Sequence, residues 1–310
     1  MLIRKTIFFV VPFLFLSVFV SAQINMKRVD EGILFTEGGK KVAFYVKDEP
    51  KNLDKGRTNY FHPVYLPDGT EITENAPADH LHHRGIFWAW HQILIDGRKI
   101  GDEWMMDRFI QDVKSVEFAR LPDGIGSFKT LVNWKSPDYE DGSKAFMEER
   151  ASILFFPQKK NYRVIQFEIS LKALVDHLEL GGSDDVKGYG GFSVRMKLPG
   201  DVSFSSSTGA VEPQNEAVKA GDNMDISGSL AKDGGHGGVL IYSSNDFPTA
   251  DQWILRKEKS MQNAVWPGRK PVAISTTEPI VLRYAVVLYS GEINDQKVLK
   301  DLRKLTWNSN

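Results

Sequence analysis

The sequence of 310 residues contains no cysteine, and this absence excludes several kinds of site at once. Disulfide bonds, thiolate metal ligands and cysteine nucleophiles are all unavailable. An excess of charge is missing as well, since 39 lysine and arginine residues balance 40 aspartate and glutamate residues. Because the sequence shows no basic patch either, nucleic acid is not expected as a partner. The chain has to rely on its own apolar core, without covalent cross-links.

Other missing patterns restrict the fold. No repeat with a period of about 20–50 residues is visible, which argues against propellers and solenoids. Strands do not alternate with long amphipathic helices, which argues against Rossmann and TIM-barrel folds. After residue 22 no stretch is apolar enough to cross a bilayer, so stable membrane insertion is not expected.

The first 22 residues are predicted to be a signal peptide. Arg4 and Lys5 form a basic start, Ile7 to Phe19 is an apolar run, and Val20-Ser21-Ala22 supplies small residues for cleavage. A retained membrane anchor is the alternative, although the run is shorter than the ~20 apolar residues of a usual span. We therefore expect a single domain over residues 23–310, located in the periplasm or secreted.

Most of this domain has the pattern of short strands separated by turns that contain glycine or proline. Gly32–Thr36 and Val42–Val46 flank a glycine turn and predict a hairpin. Further strands are predicted at residues 115–120, 128–134, 148–156, 162–171, 192–198, 202–206, 223–229, 238–243, 253–257 and 280–289. Only the segment after Asn294 has helical spacing of its apolar residues. The sequence thus predicts an all-β fold, a large antiparallel β-sandwich with a short C-terminal helix.

The segment from Asp79 to His91 gives the strongest indication of a site. Four of the chain's seven histidines lie in it, together with Arg84, Trp88 and Trp90. Buried imidazole and guanidinium groups need hydrogen-bond partners, whereas the tryptophans favour burial. An aromatic pocket with a few converging polar groups satisfies both requirements.

His82 and His83 are the catalytic candidates, because imidazole titrates near neutral pH and can act as a general acid or base. On a strand they would point to opposite faces, while His80 and His82 would share a face. His80 and His62 are expected to contact the substrate. For each of these histidines the alternative is a structural role, in which the ring ties the loop to backbone carbonyl groups.

Arginine and tryptophan side chains are candidates for substrate binding. Arg84 and Arg195 can hold a carboxylate or sugar hydroxyls through paired donors, or can instead lock a loop to a neighbouring acid. Trp88, Trp90 and Trp104 suit stacking on a sugar ring, but tryptophans in a sandwich also belong in the core.

A metal site competes with acid–base chemistry in this segment. His62, His80 and His82, with a carboxylate such as Glu149, would provide imidazole and carboxylate ligands for zinc or a similar metal. The helical H-E-x-x-H arrangement is absent from the sequence. No cofactor is predicted, and a divalent metal at the histidine cluster is the alternative left open.

Several motifs resemble those of a family of secreted bacterial proteins that is labelled PmoA-like, or "methane oxygenase PmoA". They are Tyr60-Phe61-His62-Pro63, Pro67-Asp68-Gly69, His82-His83-Arg84-Gly85, Glu149-Arg150, Gly190 to Arg195 and the run from Phe247 to Trp253. The His-His-Arg-Gly element is the most specific of them. The resemblance implies a β-sandwich related to the galactose-mutarotase supersandwich. Oxygenase activity is not carried over, because membrane methane oxygenase is an integral membrane protein.

The resemblance also implies carbohydrate chemistry, since such proteins are often encoded near sugar-metabolising oxidoreductases. It makes Glu149 the preferred base over Glu148 and over Asp102-Glu103. We therefore expect an exported enzyme that acts on a glycoside or keto-sugar by His/Glu acid–base chemistry, as a hydrolase, lyase or epimerase. A non-catalytic sugar-binding protein and a metal-dependent hydrolase are the alternatives. The expected partner is a small-molecule or oligosaccharide substrate.

Overall fold

A computed structural model describes residues 23–49, 56–244, 251–304 and 307. The predicted signal peptide at residues 1–22 lies outside the described residues, as do Phe247 and Pro248 of the resembling motifs. The described chain consists mostly of antiparallel strands and ends in one short helix. The prediction of an all-β sandwich with a C-terminal helix is confirmed.

The strands are numbered in chain order. The first eleven described strands are β1 (Ile24–Val29), β2 (Gly32–Glu37), β3 (Lys40–Val46), β4 (Tyr60–Val64), β5 (Ile86–Trp90), β6 (Gln92–Ile95), β7 (Arg98–Gly101), β8 (Ile110–Arg120), β9 (Gly126–Lys135), β10 (Met147–Phe155) and β11 (Tyr162–Ala173). The others are β12 (Leu178–Gly181), β13 (Gly190–Arg195), β14 (Ser203–Ser206), β15 (Gly209–Ala210), β16 (Val218–Lys219), β17 (Asn223–Gly228), β18 (Gly237–Ser243), β19 (Gln252–Ile254), β20 (Met261–Val265), β21 (Val272–Ala273) and β22 (Ile280–Ser290), followed by helix α1 (Asp295–Leu302).

Two nine-stranded sheets form the sandwich. The first sheet has the order β1-β2-β3-β4-β5-β13-β20-β19-β16, and the second has the order β15-β14-β17-β18-β22-β11-β10-β9-β8. A third sheet of four strands, β21-β12-β6-β7, was not foreseen from the sequence. Its strands are short, and their hydrophobic pattern is weaker than that of the long strands.

The main core lies between the two large sheets and is rich in phenylalanine. Phe35 of the first sheet stacks on Phe155 of the second with ring centroids 4.2 Å apart, and Phe192 stacks on Tyr284 at 4.6 Å. All four rings are at most 1% exposed. Burial of one such side chain is worth roughly 1.5–3 kcal/mol, so these contacts hold the two sheets together.

The first sheet is also covered on its outer face, and this is where the candidate site lies. Along β5 the side chains of Ile86, Trp88 and Trp90 point into the main core, whereas Phe87 and Ala89 point outward. The outward residues belong to a second apolar cluster, here called the outer cluster. Its buried members are Val46, Tyr60, Phe87, Ala89, Trp104 and Met261. Because β5 is buried on both faces, its sequence lacks the alternation of apolar and polar residues found in a strand with one solvent-exposed face.

Strand β20 was also missed, because Gln262 and Asn263 interrupt its apolar pattern. Both side chains are fully buried, and the structure provides partners for them. The Oε1 atom of Gln262 accepts a hydrogen bond from the backbone N–H of Arg256 at 2.9 Å, and Asn263 donates to the carbonyl oxygen of Phe192 at 3.0 Å. Hydrogen bonding of this kind allows polar residues inside a buried strand.

The C-terminal helix forms as predicted. The side chain of Asn294 caps it by accepting a hydrogen bond from the backbone N–H of Lys297 at 2.9 Å. Val298, Leu299 and Leu302 then pack on the outer face of the second sheet. Among the described residues, no helix has the length and apolar character needed to span a membrane.

Candidate functional site

The loop of residues 75–85, here called the histidine loop, lies on the outer face of the first sheet and leads into β5. A backbone hydrogen bond from His83 N to His80 O, 3.0 Å long, closes a turn within it. The loop ends at Gly85, where a Cβ atom would lie 2.1 Å from the carbonyl oxygen of Phe61. Only glycine lets the chain pass this close to β4, so Gly85 fixes where the histidines stand.

The three imidazole rings of the loop pack against one another. The rings of His80 and His83 are stacked with centroids 4.5 Å apart, and His82 lies edge-on to both, at 5.6 and 4.5 Å. His83 is 3% exposed and also contacts Phe87 and Trp104. Burial, and then the charges of His82 and His80, lowers the pKa of His83 to about 2. His83 is therefore neutral at pH 7, whereas His80 and His82 are only partly buried.

Asp79 and His80 form a hydrogen-bonded pair. The Nδ1 atom of His80 lies 2.8 Å from Oδ2 of Asp79, which assigns the hydrogen to Nδ1 and leaves the Nε2 lone pair to accept a proton. Burial acts to raise the pKa of Asp79, but the hydrogen bond from His80 and the charge of Arg195 outweigh it and lower that pKa. An ionised aspartate at Nδ1 orients the ring and fixes its tautomer, as a general base requires.

Arg195 holds Asp79 in this position by hydrogen bonds to its carboxylate. Its Nη2 atom lies 3.1 Å from each carboxylate oxygen of Asp79, and its Nε donates to Glu74 at 2.7 Å. Its Nη1 lies 3.4 Å from Nδ1 of His83. With its side chain 3% exposed, Arg195 is built into the support of the histidine loop. Direct contact of Arg195 with a substrate stays a prediction.

Arg84 is likewise turned toward the protein. It is 0% exposed, and its Nη1 donates to the carbonyl oxygens of Leu81 and His83. Its guanidinium lies 5.8 Å from the ring centroid of Tyr60 in the outer cluster. Arg84 therefore holds the loop through backbone carbonyl oxygens, where the structural alternative expected a neighbouring acid. Direct contact of Arg84 with a substrate stays a prediction.

A second Asp–His pair lies beside Trp104. The Nδ1 atom of His91 is 3.0 Å from Oδ2 of Asp102, and its ring stacks on Trp104 at 5.3 Å. Asp102 also accepts hydrogen bonds from Lys99 and from the backbone N–H of Met105. Burial acts to raise the pKa of Asp102, but its hydrogen bond with His91 and the other donors lower it overall. His91 was not among the site residues predicted from the sequence, although it closes the histidine-rich segment.

Tyr189 adds a partly exposed aromatic ring to the same area, and it was missed as well. Its ring centroid lies 5.4 Å from that of Trp104, and its hydroxyl accepts a hydrogen bond from Nη2 of Arg256 at 2.8 Å. The residue stands in the glycine-rich stretch before β13. It was not predicted because the many glycines around it are typical of a turn. The order Gly-Tyr-Gly was the one sequence feature that indicated a fixed aromatic side chain.

Three of the predicted binding residues lie outside this area: Trp88, Trp90 and His62. The two tryptophans are at most 1% exposed and point into the main core, where the indole N–H of Trp90 donates to the carbonyl oxygen of Trp266 at 2.8 Å. His62 on β4 pairs through Nδ1 with the hydroxyl of Thr73 at 2.9 Å. Burial lowers the pKa of His62 to about 4. Of the three candidate tryptophans, Trp104 is the one on the outer face.

Glu149 is not brought together with the histidines. It is 0% exposed on the inner face of β10, and its two oxygens accept hydrogen bonds from Asn59 at 2.7 Å and from the indole N–H of Trp134 at 2.9 Å. Burial raises its pKa to about 7, although the N–H groups of Asn59, Trp134 and Trp88 act in the opposite direction. Glu148, its neighbour, points outward, as the alternation of a strand requires.

The site therefore offers imidazole rather than carboxylate chemistry. His91 of the second Asp–His pair stacks on Trp104, and the neutral His83 lies edge-on to the same ring. His80 of the first pair stacks on His83, with His82 edge-on to both. Within the described part of the chain, no group of three or more histidine, aspartate and glutamate side chains is arranged to hold a metal ion. A divalent metal at the histidine cluster was left open from the sequence, and the described residues provide no set of ligands for it.

Comparison with known proteins places the chain in a family but gives it no activity. Residues 33–303 match the model of a family of unknown function (DUF6807), and the chain belongs to that family. No curated protein matches the sequence. The comparison thus shows membership of a family of unknown function, and the resemblance to PmoA-like proteins stays a prediction.

Proposed function

We propose that this family member is an exported carbohydrate-active enzyme that acts on a glycoside or keto-sugar by histidine acid–base chemistry. The observation that carries the proposal is the Asp79–His80 pair. His80 is partly exposed, its Nδ1 is held by an ionised aspartate, and its Nε2 is left to take a proton from a substrate. A general base needs this orientation.

The second pair supports a reaction in which protons are both removed and delivered. In a keto-sugar, His80 would take the proton next to the carbonyl group, and the electron pair would move onto the carbonyl oxygen as an enolate. A protonated His91 would then deliver its proton to the opposite face of that carbon. Alternatively, it would protonate the oxygen of a leaving group on the next carbon, as the enolate re-forms the carbonyl group, a carbon–carbon double bond forms and the carbon–oxygen bond to the leaving group breaks. Proton exchange with solvent would return both histidines to their starting forms. The first outcome is an epimerisation and the second an elimination, so we favour these over hydrolysis.

Hydrolysis by two carboxylates has less support, because it needs a pair of acids on either side of the scissile bond. Glu149, the carboxylate preferred from the sequence, is enclosed in the main core. Asp79 and Asp102 are each committed to a histidine. The base in our proposal is therefore an imidazole, and Glu149 has no part in it.

The substrate class rests on two lines of support. The motifs that resemble PmoA-like proteins imply carbohydrate chemistry, and the ring of Tyr189 beside Trp104 suits contact with the apolar face of a sugar. Export rests on the predicted signal peptide. A periplasmic or secreted location and the absence of a resident metal belong to the proposal in the same way.

A proton-NMR time course in deuterium oxide tests the proposal. Purified protein is incubated with common glycosides and with their keto-sugar derivatives, with and without a chelator. We expect exchange of the proton next to the carbonyl, followed by a new epimer or an unsaturated product. Both signals should vanish in His80→Gln and persist in His236→Gln, because His236 lies on the surface outside the site.

Each other outcome has a definite meaning. Ligand line-broadening without exchange or product would replace the enzyme with a sugar-binding protein. Activity that a chelator abolishes would make the protein a metal-dependent enzyme and remove the metal-free base from the scheme. Silence over the whole panel would overturn the carbohydrate assignment.

A further inference from the structure

A small cavity next to the outer cluster holds an arginine and a glutamate that the proposed reaction does not use. The cavity has a volume of about 230 Å³, and its walls include Arg57, Glu103, Gln111, Met106, Phe109 and Ile110. Arg57 is 4% exposed and Glu103 is 1% exposed. Pockets for drug-sized ligands are larger, about 300–1,000 Å³, so a ligand here would be small.

Arg57 is only partly satisfied by the protein. Its Nη2 donates to the backbone carbonyl oxygens of Glu103 and Trp104, and its guanidinium lies 5.0 Å from the ring centroid of Phe87. Its Nε and Nη1 atoms are buried and have no hydrogen-bond partner among the described residues. Burial lowers the pKa of Arg57 to about 10, and the charge of Glu103 acts in the opposite direction, but no salt bridge joins Arg57 to a carboxylate in the described part of the chain. Buried donors of this kind are costly unless something binds them.

Glu103 is the second polar group of the cavity with an unused atom. Its Oε1 accepts a hydrogen bond from Nε2 of Gln111 at 2.9 Å. Its Oε2 is buried and makes no hydrogen bond of normal geometry in the described structure, although the nearby backbone N–H of Trp90 acts to lower the pKa of this carboxyl group. Burial raises the pKa of Glu103 well above its usual range, with the charge of Glu149 acting in the same direction and that of Arg57 against it. In its neutral form Glu103 offers a hydroxyl donor.

We propose that this cavity binds a small organic carboxylate, with Arg57 as its counter-ion. Arg57 supplies one positive charge and two unused donor atoms, and a neutral Glu103 supplies a third donor. A ligand that fits must bring acceptor oxygens and one negative charge. Met106, Phe109 and Ile110 provide an apolar wall for its carbon skeleton. Glu49, the other acid at the cavity, is exposed to solvent and does not compensate Arg57.

This carboxylate site is separate from the Asp79–His80 pair. Arg84 lies between the two, with its Nη2 atom 3.9 Å from the sulfur of Met106 and its Nη1 on the histidine loop. A binding measurement therefore tests it independently of catalysis. D-glucuronate and D-glucose form a matched pair of probes, because they share a ring and differ in the carboxylate. Acetate serves as a minimal probe, and inorganic phosphate as the competing anion.

Isothermal titration calorimetry on the full protein should show saturable one-to-one binding of D-glucuronate, with D-glucose at least tenfold weaker. Arg57→Gln should weaken D-glucuronate at least tenfold, whereas Glu103→Gln should keep its affinity within about threefold, since the amide still offers a donor. Ile110→Glu places a negative charge at the mouth and should weaken binding severalfold. Ile110 is 45% exposed, so this variant keeps the test valid even if Arg57→Gln does not fold.

Val186→Glu is the matched control, because Val186 is 57% exposed and does not line the cavity. It should bind D-glucuronate like the unmodified protein, and so should His80→Gln. Equal affinity for D-glucose, or an affinity that Ile110→Glu leaves unchanged, would overturn the proposal. Tighter binding of phosphate than of either carboxylate would replace the ligand class, and no saturable binding would remove the site.

Discussion

The outer face of the first sheet and the interior of the sandwich both contain titratable groups, but they accommodate them in different ways. On the outer face, Asp79 is ionised, partly exposed and hydrogen-bonded to His80 and Arg195. In the interior, Glu149 is fully buried, receives hydrogen bonds from neutral groups only, and has its pKa raised to about 7.

In our proposal this difference separates the reactive group, His80, from a structural one, Glu149. A shifted pKa alone would favour Glu149 as a catalytic base, because a value near 7 suits proton transfer. Its oxygens, however, are used by Asn59 and Trp134, and no substrate can reach them without opening the core. His80 has both an oriented nitrogen and access to solvent. We therefore infer from solvent access and ring orientation, and not from the pKa, that the base is His80 on the outer face and not Glu149 in the interior.

The largest effect is expected at His80. Replacing it with glutamine removes the base, so the proposed turnover should fall by about 10²–10⁴-fold. Stability should change by no more than about 0.5 kcal/mol, because the side chain is partly exposed. Rates from the NMR assay and a denaturant titration would measure the two quantities on the same sample. A rate within threefold of the unmodified protein would show that His80 is not the base.

Substitutions of Glu149 in the interior should mainly lower stability, whereas His80→Gln should mainly lower turnover. Glu149→Ala leaves the N–H groups of Asn59 and Trp134 without acceptors and creates a void. We expect it to cost about 3–5 kcal/mol of unfolding free energy. Glu149→Gln keeps one acceptor but places an amide against the other donor, so about 1–2 kcal/mol is expected. Denaturant titration gives both values.

The turnover of folded Glu149→Gln sharpens the comparison. We expect it to stay within about threefold of the unmodified protein, since the side chain is confined to the main core. A loss as large as that of His80→Gln, in protein of normal stability, would restore Glu149 to the catalytic role that the sequence analysis gave it.

The two regions also predict opposite dependences of stability on pH. The pKa of Glu149 is about 7 in the folded protein, above the ordinary value near 4.5. The folded state therefore binds more protons than the unfolded state between these values, and stability falls as the pH rises through that window. The loss from this one group should reach ~3 kcal/mol above pH 7. Subtracting the profile of Glu149→Gln isolates it.

His83 contributes with the reverse sign. Its folded pKa of about 2 lies below the ordinary value of 6.5. Its contribution is complete above pH 6.5 and is lost as the pH falls toward 2, because the unfolded chain takes up the proton first. His83→Asn should flatten the acidic limb of the stability curve and leave the neutral limb unchanged. A flattened neutral limb would contradict our assignment of the two limbs.

The sequence was sufficient for the architecture because long strands such as β10 and β11 alternate clearly and helix α1 has a cap and an apolar face. It also located the histidine loop, since four histidines in one segment are hard to place elsewhere. The catalytic role of Glu149 stays a prediction, and its burial in the core could not be foreseen, because alternation shows that a residue points inward without showing whether the inside is a pocket or a core. It missed His91 and Tyr189 because their partners, Asp102 and Trp104, are neighbours only in the folded chain.

The smallest effect is expected at Tyr189, and it tests whether the outer cluster contacts the substrate at all. Tyr189→Ala removes a partly exposed ring beside Trp104 and should raise KM about three- to tenfold, as expected for loss of one aromatic contact worth about 0.5–1.5 kcal/mol. The value of kcat should change little, because the Asp79–His80 pair is untouched. Tyr189→Phe is the control, since it keeps the ring and loses only the hydroxyl that accepts from Arg256. If Tyr189→Phe raised KM as much as Tyr189→Ala, the hydroxyl and Arg256 would be responsible instead of the ring, and the apolar contact would have to be withdrawn from the proposal.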